Sequence, residues 1–175
     1  MSFEKAASGR LKRGSNMKDA ANLVLLSSLG AELSDDEAAV LSGLMSPREL
    51  ADGEFLINEG TTDNSLHVLL EGKLEVVKQT GGGDVVGLAV LREGDLAGEL
   101  SFIDGHEHTV GLRALCHTHI LSLTREDFEN VVDEHPHLVY KVMRAIARST
   151  HRIVHRMNAE FIELNNYIFK QHGRY

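Results

Sequence analysis

Ser65-Leu66-His67-Val68-Leu69-Leu70-Glu71-Gly72-Lys73-Leu74-Glu75-Val76 holds two short aliphatic runs broken at Glu71-Gly72-Lys73. Runs this short predict strands, and the glycine between them predicts a turn, because glycine takes positive φ at little cost. The same texture extends outward. Glu54–Ile57 precedes the pair and Val85–Leu91 follows it. Gly53, Gly60, Gly72, the Gly81-Gly82-Gly83 run, Gly94, Gly98 and Gly105 punctuate the region from Leu50 to Leu123. Many short strands at this spacing predict an antiparallel sandwich or barrel. No helical pattern separates them, which argues against a doubly wound parallel sheet.

Helical signals flank the strands. Ala20 to Leu29 predicts a short helix ending at Gly30. Ser34-Asp35-Asp36-Glu37 reads as a capping box, opening a helix that carries Ala38, Val40, Leu41 and Leu44 and ends at Pro47. Thr124 with Asp127 caps a further helix through Val132, and Pro136 suits the first turn of another. From there Val139, Val142, Ile146, Ser149, Ile153, Met157, Phe161, Leu164 and Ile168 recur every three or four residues. That spacing predicts a long amphipathic helix. Its apolar face has three readings: a cover packed back on its own roll, a seam between two copies, which is favoured, or a surface for a helix of another protein.

Composition narrows the class. Of 175 residues, 42% are hydrophobic and 25% charged, enough for one compact domain with an extension. The single Cys116 closes no intramolecular disulfide and suits a reducing compartment. No apolar run approaches the roughly 20 residues of a membrane helix, and Met1 to Asn16 lacks a signal-type apolar stretch, so the expectation is cytoplasmic, with no membrane. A net charge of −8 argues against general affinity for DNA. Basic residues nevertheless cluster at Arg10, Lys12, Arg13 and Lys18, and again at Arg144, Arg148, Arg152 and Arg156.

With these elements placed, the chain resembles the cyclic nucleotide-binding domain family, which includes the catabolite activator protein and the regulatory subunit of protein kinase A. Four stretches between about Ser34 and Arg156 carry the resemblance: Asp52–Gly60, Ser65–Val76, Leu91–Leu100 and His108–Ala114. The fold it implies is α+β and mostly β: an antiparallel β-roll of eight strands, or jelly roll, with N-terminal helices, a short cassette helix and a long C-terminal helix. The domain plan is a flexible basic tail at 1–19, the roll with its leading helices at 20–134, a dimerisation or lid helix at 135–170, and a tail at 171–175.

The resemblance also implies a ligand site. Gly98-Glu99-Leu100 would begin the cassette helix, whose amides face a phosphate, and Glu99 would accept from a ribose 2′-hydroxyl. Ser101 leaves room, Thr109 would donate to a phosphate oxygen, and Leu74 and Leu88 would line the pocket, placed by strand position alone. Where the family places an arginine, this chain has His108. Arginine is a permanent, planar, multi-donor cation, whereas histidine, with an ordinary pKa of about 6.5, is mostly neutral at pH 7. Loss of a charge-assisted contact to a buried phosphate costs about a hundredfold in affinity. Arg113 is expected to face away from His108 by strand parity.

The function expected is therefore non-catalytic regulation. The module senses a cyclic nucleotide (cAMP or cGMP) or another small anion, requires no cofactor, and signals through the C-terminal helix as a homodimer. The alternative is a degenerate pocket acting as a protein-interaction or dimerisation module with an unidentified protein partner. A lesser alternative is metal or pH sensing by histidine. Ten histidines include the pairs His106/His108, His117/His119 on a predicted strand, His135/His137, and His151/His155 one turn apart. The site expectation nonetheless contains no metal. The chain ends soon after the long helix, so no winged helix and no direct DNA binding are expected. No nucleophile elbow, Walker motif, dinucleotide fingerprint or HExxH motif is present, and Cys116 reads as a small core residue on a strand.

Overall fold

The computed structural model describes residues 17–172. Helix α1 spans Met17–Leu26, a 3-10 turn spans Gly30–Glu32, and α2 spans Asp35–Leu44. The strands are β1 (Ser46–Leu50), β2 (Phe55–Ile57), β3 (Ser65–Glu71), β4 (Leu74–Gln79), β5 (Val85–Leu91), β6 (Leu96–Ala97), β7 (Gly111–Ala114) and β8 (Thr118–Thr124). Helix α3 (Glu99–Asp104) lies between β6 and β7, and α4 (Arg125–Glu129) and α5 (Pro136–His172) close the order. The basic residues Arg10, Lys12 and Arg13, and residues 173–175, lie outside the described residues. No helix among the described residues is long and apolar enough to cross a membrane.

The strands form two four-stranded antiparallel sheets, ordered β1-β8-β3-β6 and β2-β7-β4-β5. Strand β3 explains why the fold has two cores. Its side chains alternate between faces, and both faces are covered. Leu66, Val68 and Leu70 meet Leu121, Leu123 and the helices, including Val24, Leu41, Val142 and Ile146. Leu69, beside Ile120 of β8, meets Leu74 and Leu112 of the second sheet. A strand buried on both sides reads as a nearly unbroken apolar run, as Ser65–Glu71 does.

Local chemistry sets the ends of the elements. Ser34 Oγ accepts from the Glu37 N–H at 3.3 Å while the Glu37 carboxylate accepts from the Ser34 N–H at 2.8 Å, completing the capping box. Thr124 Oγ1 accepts from the Asp127 N–H at 3.1 Å at the start of α4.

Several expectations need correction. The first helix ends at Leu26, because the Ser27 hydroxyl donates to the Val24 carbonyl at 2.7 Å and turns the chain before Gly30. The strands begin at Ser46 rather than Leu50, with Pro47 inside β1. An edge strand tolerates proline because one side of its ladder is open. Cys116 and His117 lie in the bend between β7 and β8, and only His119 of that pair is on a strand.

The apolar face of α5 is divided between a covered part and an exposed one. Leu138, Val142, Ala145, Ile146 and Ser149 are buried on the roll and the N-terminal helices. The arginine ladder belongs largely to the same contact. Arg144 and Arg148 pair with Glu32, and Arg152 donates to the Ser28 hydroxyl at 2.9 Å. Farther on, Val154, Met157, Phe161, Ile162 and Leu164 are exposed.

Candidate functional site

The cassette begins where β6 ends. Gly98 precedes α3 with φ of +79°, and a Cβ there would stand 2.5 Å from the Ser65 carbonyl oxygen and 3.2 Å from His67 Cδ2. Backbone conformation and close approach therefore both demand glycine. The far end is held from outside: Arg125 donates from Nε to the Phe102 carbonyl at 2.7 Å and from Nη2 to the Ser101 carbonyl at 2.6 Å. The guanidinium gives the Phe102 carbonyl a side-chain donor and adds a second donor to the Ser101 carbonyl, which also accepts from the Gly105 N–H at 2.9 Å. Phe102 packs against Phe128 of α4, with ring centroids 5.4 Å apart. Sequence reasoning missed Arg125, because its role depends on a contact formed only in the tertiary structure.

Inside this frame Glu99 is buried, and burial pushes its carboxyl above the ordinary carboxylate range, opposed by its own backbone N–H and reinforced by the charge of Asp95. No side-chain donor among the described residues meets it. The Ser101 hydroxyl, also buried, has no hydrogen-bond partner. Two polar groups in the first turn of α3 thus hold unused hydrogen-bonding capacity, a costly arrangement unless a ligand completes it. Leu100 is 60% exposed on the outer side of the same turn.

His108 and Thr109 sit in the loop before β7, which starts only at Gly111, so strand parity does not govern His108. Arg113 is nevertheless committed elsewhere, donating to Glu75 at 2.7 Å across the β4–β7 pair. The His108 N–H donates to the Thr61 carbonyl at 2.8 Å, and Nε2 lies 3.3 Å from the Asp63 carbonyl oxygen. A ring nitrogen facing a carbonyl must carry its proton, so in the neutral ring Nδ1 is an acceptor.

Asp63 links His108 to a buried partner. Its carboxylate meets Nε2 of His67 at 3.3 Å, and Nδ1 of His67 meets Ser122 Oγ at 2.8 Å. Hydrogen bonding from His67 holds the Asp63 carboxyl below its ordinary range. The lone histidine within an apolar strand was the available signal for this network. Lys78, also missed, donates to Glu59 at 2.6 Å and to the Thr109 carbonyl at 2.6 Å, which places an ammonium beside the loop of His108.

The structure thus gathers Gly98, Glu99 and Ser101 at one turn and ties His108 to that turn through Asp63 and His67. Thr109 is exposed at the end of the same loop. Leu74 is fully buried between the sheets and offers a packed floor rather than a contact surface. Leu88 is 55% exposed at a bulge in β5, opposite Val76 and Val77.

Known proteins share this architecture. The N-terminal domain of a transcriptional regulator from Streptomyces coelicolor A3(2) is 30% identical, covers 75% of this chain and 94% of its own, and superposes with a TM-score of 0.67. The regulatory subunit of a cAMP-independent protein kinase A from Trypanosoma brucei, as a triple mutant bound to cAMP in its A site, is 22% identical over 77% of this chain and 47% of its own, with a TM-score of 0.66. Among curated relatives, a lysophospholipase from Pyricularia oryzae is 28% identical over 104 residues, 58% of this chain. The chain spans 7% of that enzyme and 9% of a neuropathy target esterase from Drosophila melanogaster, so it matches one module of much longer proteins. Residues 47–135, half of the chain, match the cyclic nucleotide-binding domain profile. A two-sheet roll with the cassette between β6 and β7, joined to that match, makes the chain a member of the cyclic nucleotide-binding domain family.

Proposed function

We propose that this chain is a non-catalytic regulatory module that binds a cyclic nucleotide or a related small anion at the α3 cassette and relays occupancy to α5. The buried Glu99 carboxylate without a side-chain donor carries the reading. It is poised to accept from a sugar hydroxyl, and the unpaired Ser101 hydroxyl offers a second contact. Gly98, Leu100 and Thr109 frame the opening, Leu88 supplies apolar surface near its rim, and Leu74 forms the floor. Relay has a physical route, because Phe102 and the carbonyls of α3 are bound to Phe128 and Arg125 of α4, the helix that leads into α5. Ligand that favours one seating of α3 biases that coupled element. A homodimer through the distal part of α5 would receive the signal.

His108 favours a second reading, in which the pocket no longer takes nucleotide and the domain works through protein contacts. With Nε2–H directed at Asp63, the neutral ring has no donor left for a phosphate; the imidazolium gains one at Nδ1. Calorimetric titration with cAMP and cGMP, on wild type, His108→Arg and Glu99→Gln, separates the two. Sensing predicts saturable binding by wild type, strengthened about a hundredfold by His108→Arg and lost in Glu99→Gln. Silence of wild type with binding by His108→Arg marks a retired pocket. Silence of both removes the nucleotide reading.

A further inference from the structure

We propose that Glu49, His117 and His119 form a surface site for a divalent transition-metal ion of the zinc class, joining edge strand β1 to the β7–β8 bend. The inference is independent of the nucleotide reading and uses none of its residues. The antiparallel register of β1 and β8 places Glu49 directly opposite His119. One carboxylate oxygen of Glu49 lies 3.5 Å from His117 Nε2 and the other lies 3.9 Å from His119 Nδ1. The two imidazoles meet edge to face with centroids 4.7 Å apart. One ligand atom from each of the three residues falls within 4.8 Å of the others.

The backbone beneath is rigid where it needs to be. Leu50 and Thr118, the next pair along the ladder, are fully buried. Thr118 Oγ1 donates to the Cys116 carbonyl at 2.8 Å, which fixes the bend that carries His117. The side chains of Glu49 and His117 are exposed and free to adjust, while that of His119 is half-buried and sets the position. Bonds of about 2.0–2.2 Å in a tetrahedral site put neighbouring ligand atoms roughly 3.3 Å apart. With one atom from each residue, the donors therefore need to close by up to about 1.5 Å, within reach of rotations about the exposed χ angles of Glu49 and His117. Two imidazoles and one carboxylate suit zinc, nickel or copper better than calcium or magnesium, which prefer all-oxygen sites. Three protein ligands leave a fourth position for water.

The test uses the full chain without a histidine tag, stripped with EDTA and titrated with ZnCl2 by calorimetry and with CoCl2 by visible absorption. The expected result is one ion per chain, a four-coordinate cobalt spectrum, and a rise in melting temperature with zinc by mass action. His117→Ala and His119→Ala should each weaken binding more than about tenfold, since even removal of an outer-sphere partner costs that much. Glu49→Gln should weaken it too, and His151→Ala with His155→Ala should leave it unchanged. Absence of saturable zinc binding would overturn the proposal. So would binding that survives the His117→Ala/His119→Ala double substitution in a chain whose circular dichroism is unchanged.

Discussion

The two ends of α5 carry the same apolar spacing and meet opposite fates. From Leu138 to Ser149 the stripe is buried on the chain's own roll, and Lys141, Arg144 and Arg148 fasten its flanks to Glu37 and Glu32. From Val154 to Leu164 the stripe continues with larger side chains, yet Met157 is 60% exposed and Phe161 65%. The difference arises outside the helix. Helices α1 and α2 and the 3-10 turn supply a surface only as far as Ser149 and Arg152. A hydrophobic period therefore reports which face is meant to be covered and is silent on what covers it. It also divides the labour of the helix: the proximal part is a component of the domain, and the distal part is available for the seam proposed above.

Truncation of the proximal stripe should have the largest effect. Ile146 is fully buried in the helix-side core, and Ile146→Ala should cost about 2–5 kcal/mol in chemical denaturation, the range for a buried aliphatic truncated to alanine. A loss below about 1 kcal/mol, within reach of ordinary surface changes, would show that α5 is not integral to the fold and would erase the contrast between its ends.

Substitution in the distal stripe tests the other side. Met157 and Phe161 stand one turn apart and exposed, so Met157→Glu with Phe161→Glu should leave the roll intact, with melting of the isolated chain shifted by only about 0.5 kcal/mol equivalent. If this stripe is a seam between copies, sedimentation should show wild type at twice the chain mass and the variant at the chain mass. An unchanged mass in the variant sinks the seam and leaves the exposed face to a different partner.

This contrast also marks how far the sequence could be read. The capping box at Ser34–Glu37, the Thr124 cap, the glycine turns and the period of α5 are local, and each was legible because neighbouring residues satisfy one another. Strand β1 was not, since only Leu50 of its five residues is buried, and an edge strand with proline lacks the alternation that reveals strands. The cassette was legible through the resemblance as a row of residues, but its state was not. That Glu99 is buried without a side-chain donor, that Arg125 closes the helix, and that Asp63 joins His108 to His67 all depend on residues brought together from distant parts of the chain. Strand parity does not apply at His108, because the strand begins three residues later than the pattern suggested, and Arg113 is held away by Glu75 instead.

The smallest effect lies where the proximal helix is tied to α2. Lys141 donates to both carboxylate oxygens of Glu37, at 2.8 and 2.7 Å, while the same carboxylate accepts from the Ser34 N–H. The lysine contact first, then the Ser34 amide, holds the Glu37 carboxyl below its ordinary range. Its unfolded value is about 4.3, so the carboxylate's contribution is complete above roughly pH 5 and is lost as pH falls through the lower folded value. Glu37→Gln keeps an oxygen for the cap and removes the charge that faces Lys141. At neutral pH the variant should be less stable by about 0.5 kcal/mol, the scale of a partly exposed pair, and less so at high salt. Below the folded pKa the two proteins should converge, because wild type then carries a neutral carboxyl as well. A difference that persists undiminished into acid would place the contribution of Glu37 in the hydrogen-bonded cap rather than in its charge. The charge of the Lys141 contact would then be incidental to the division between the ends of α5.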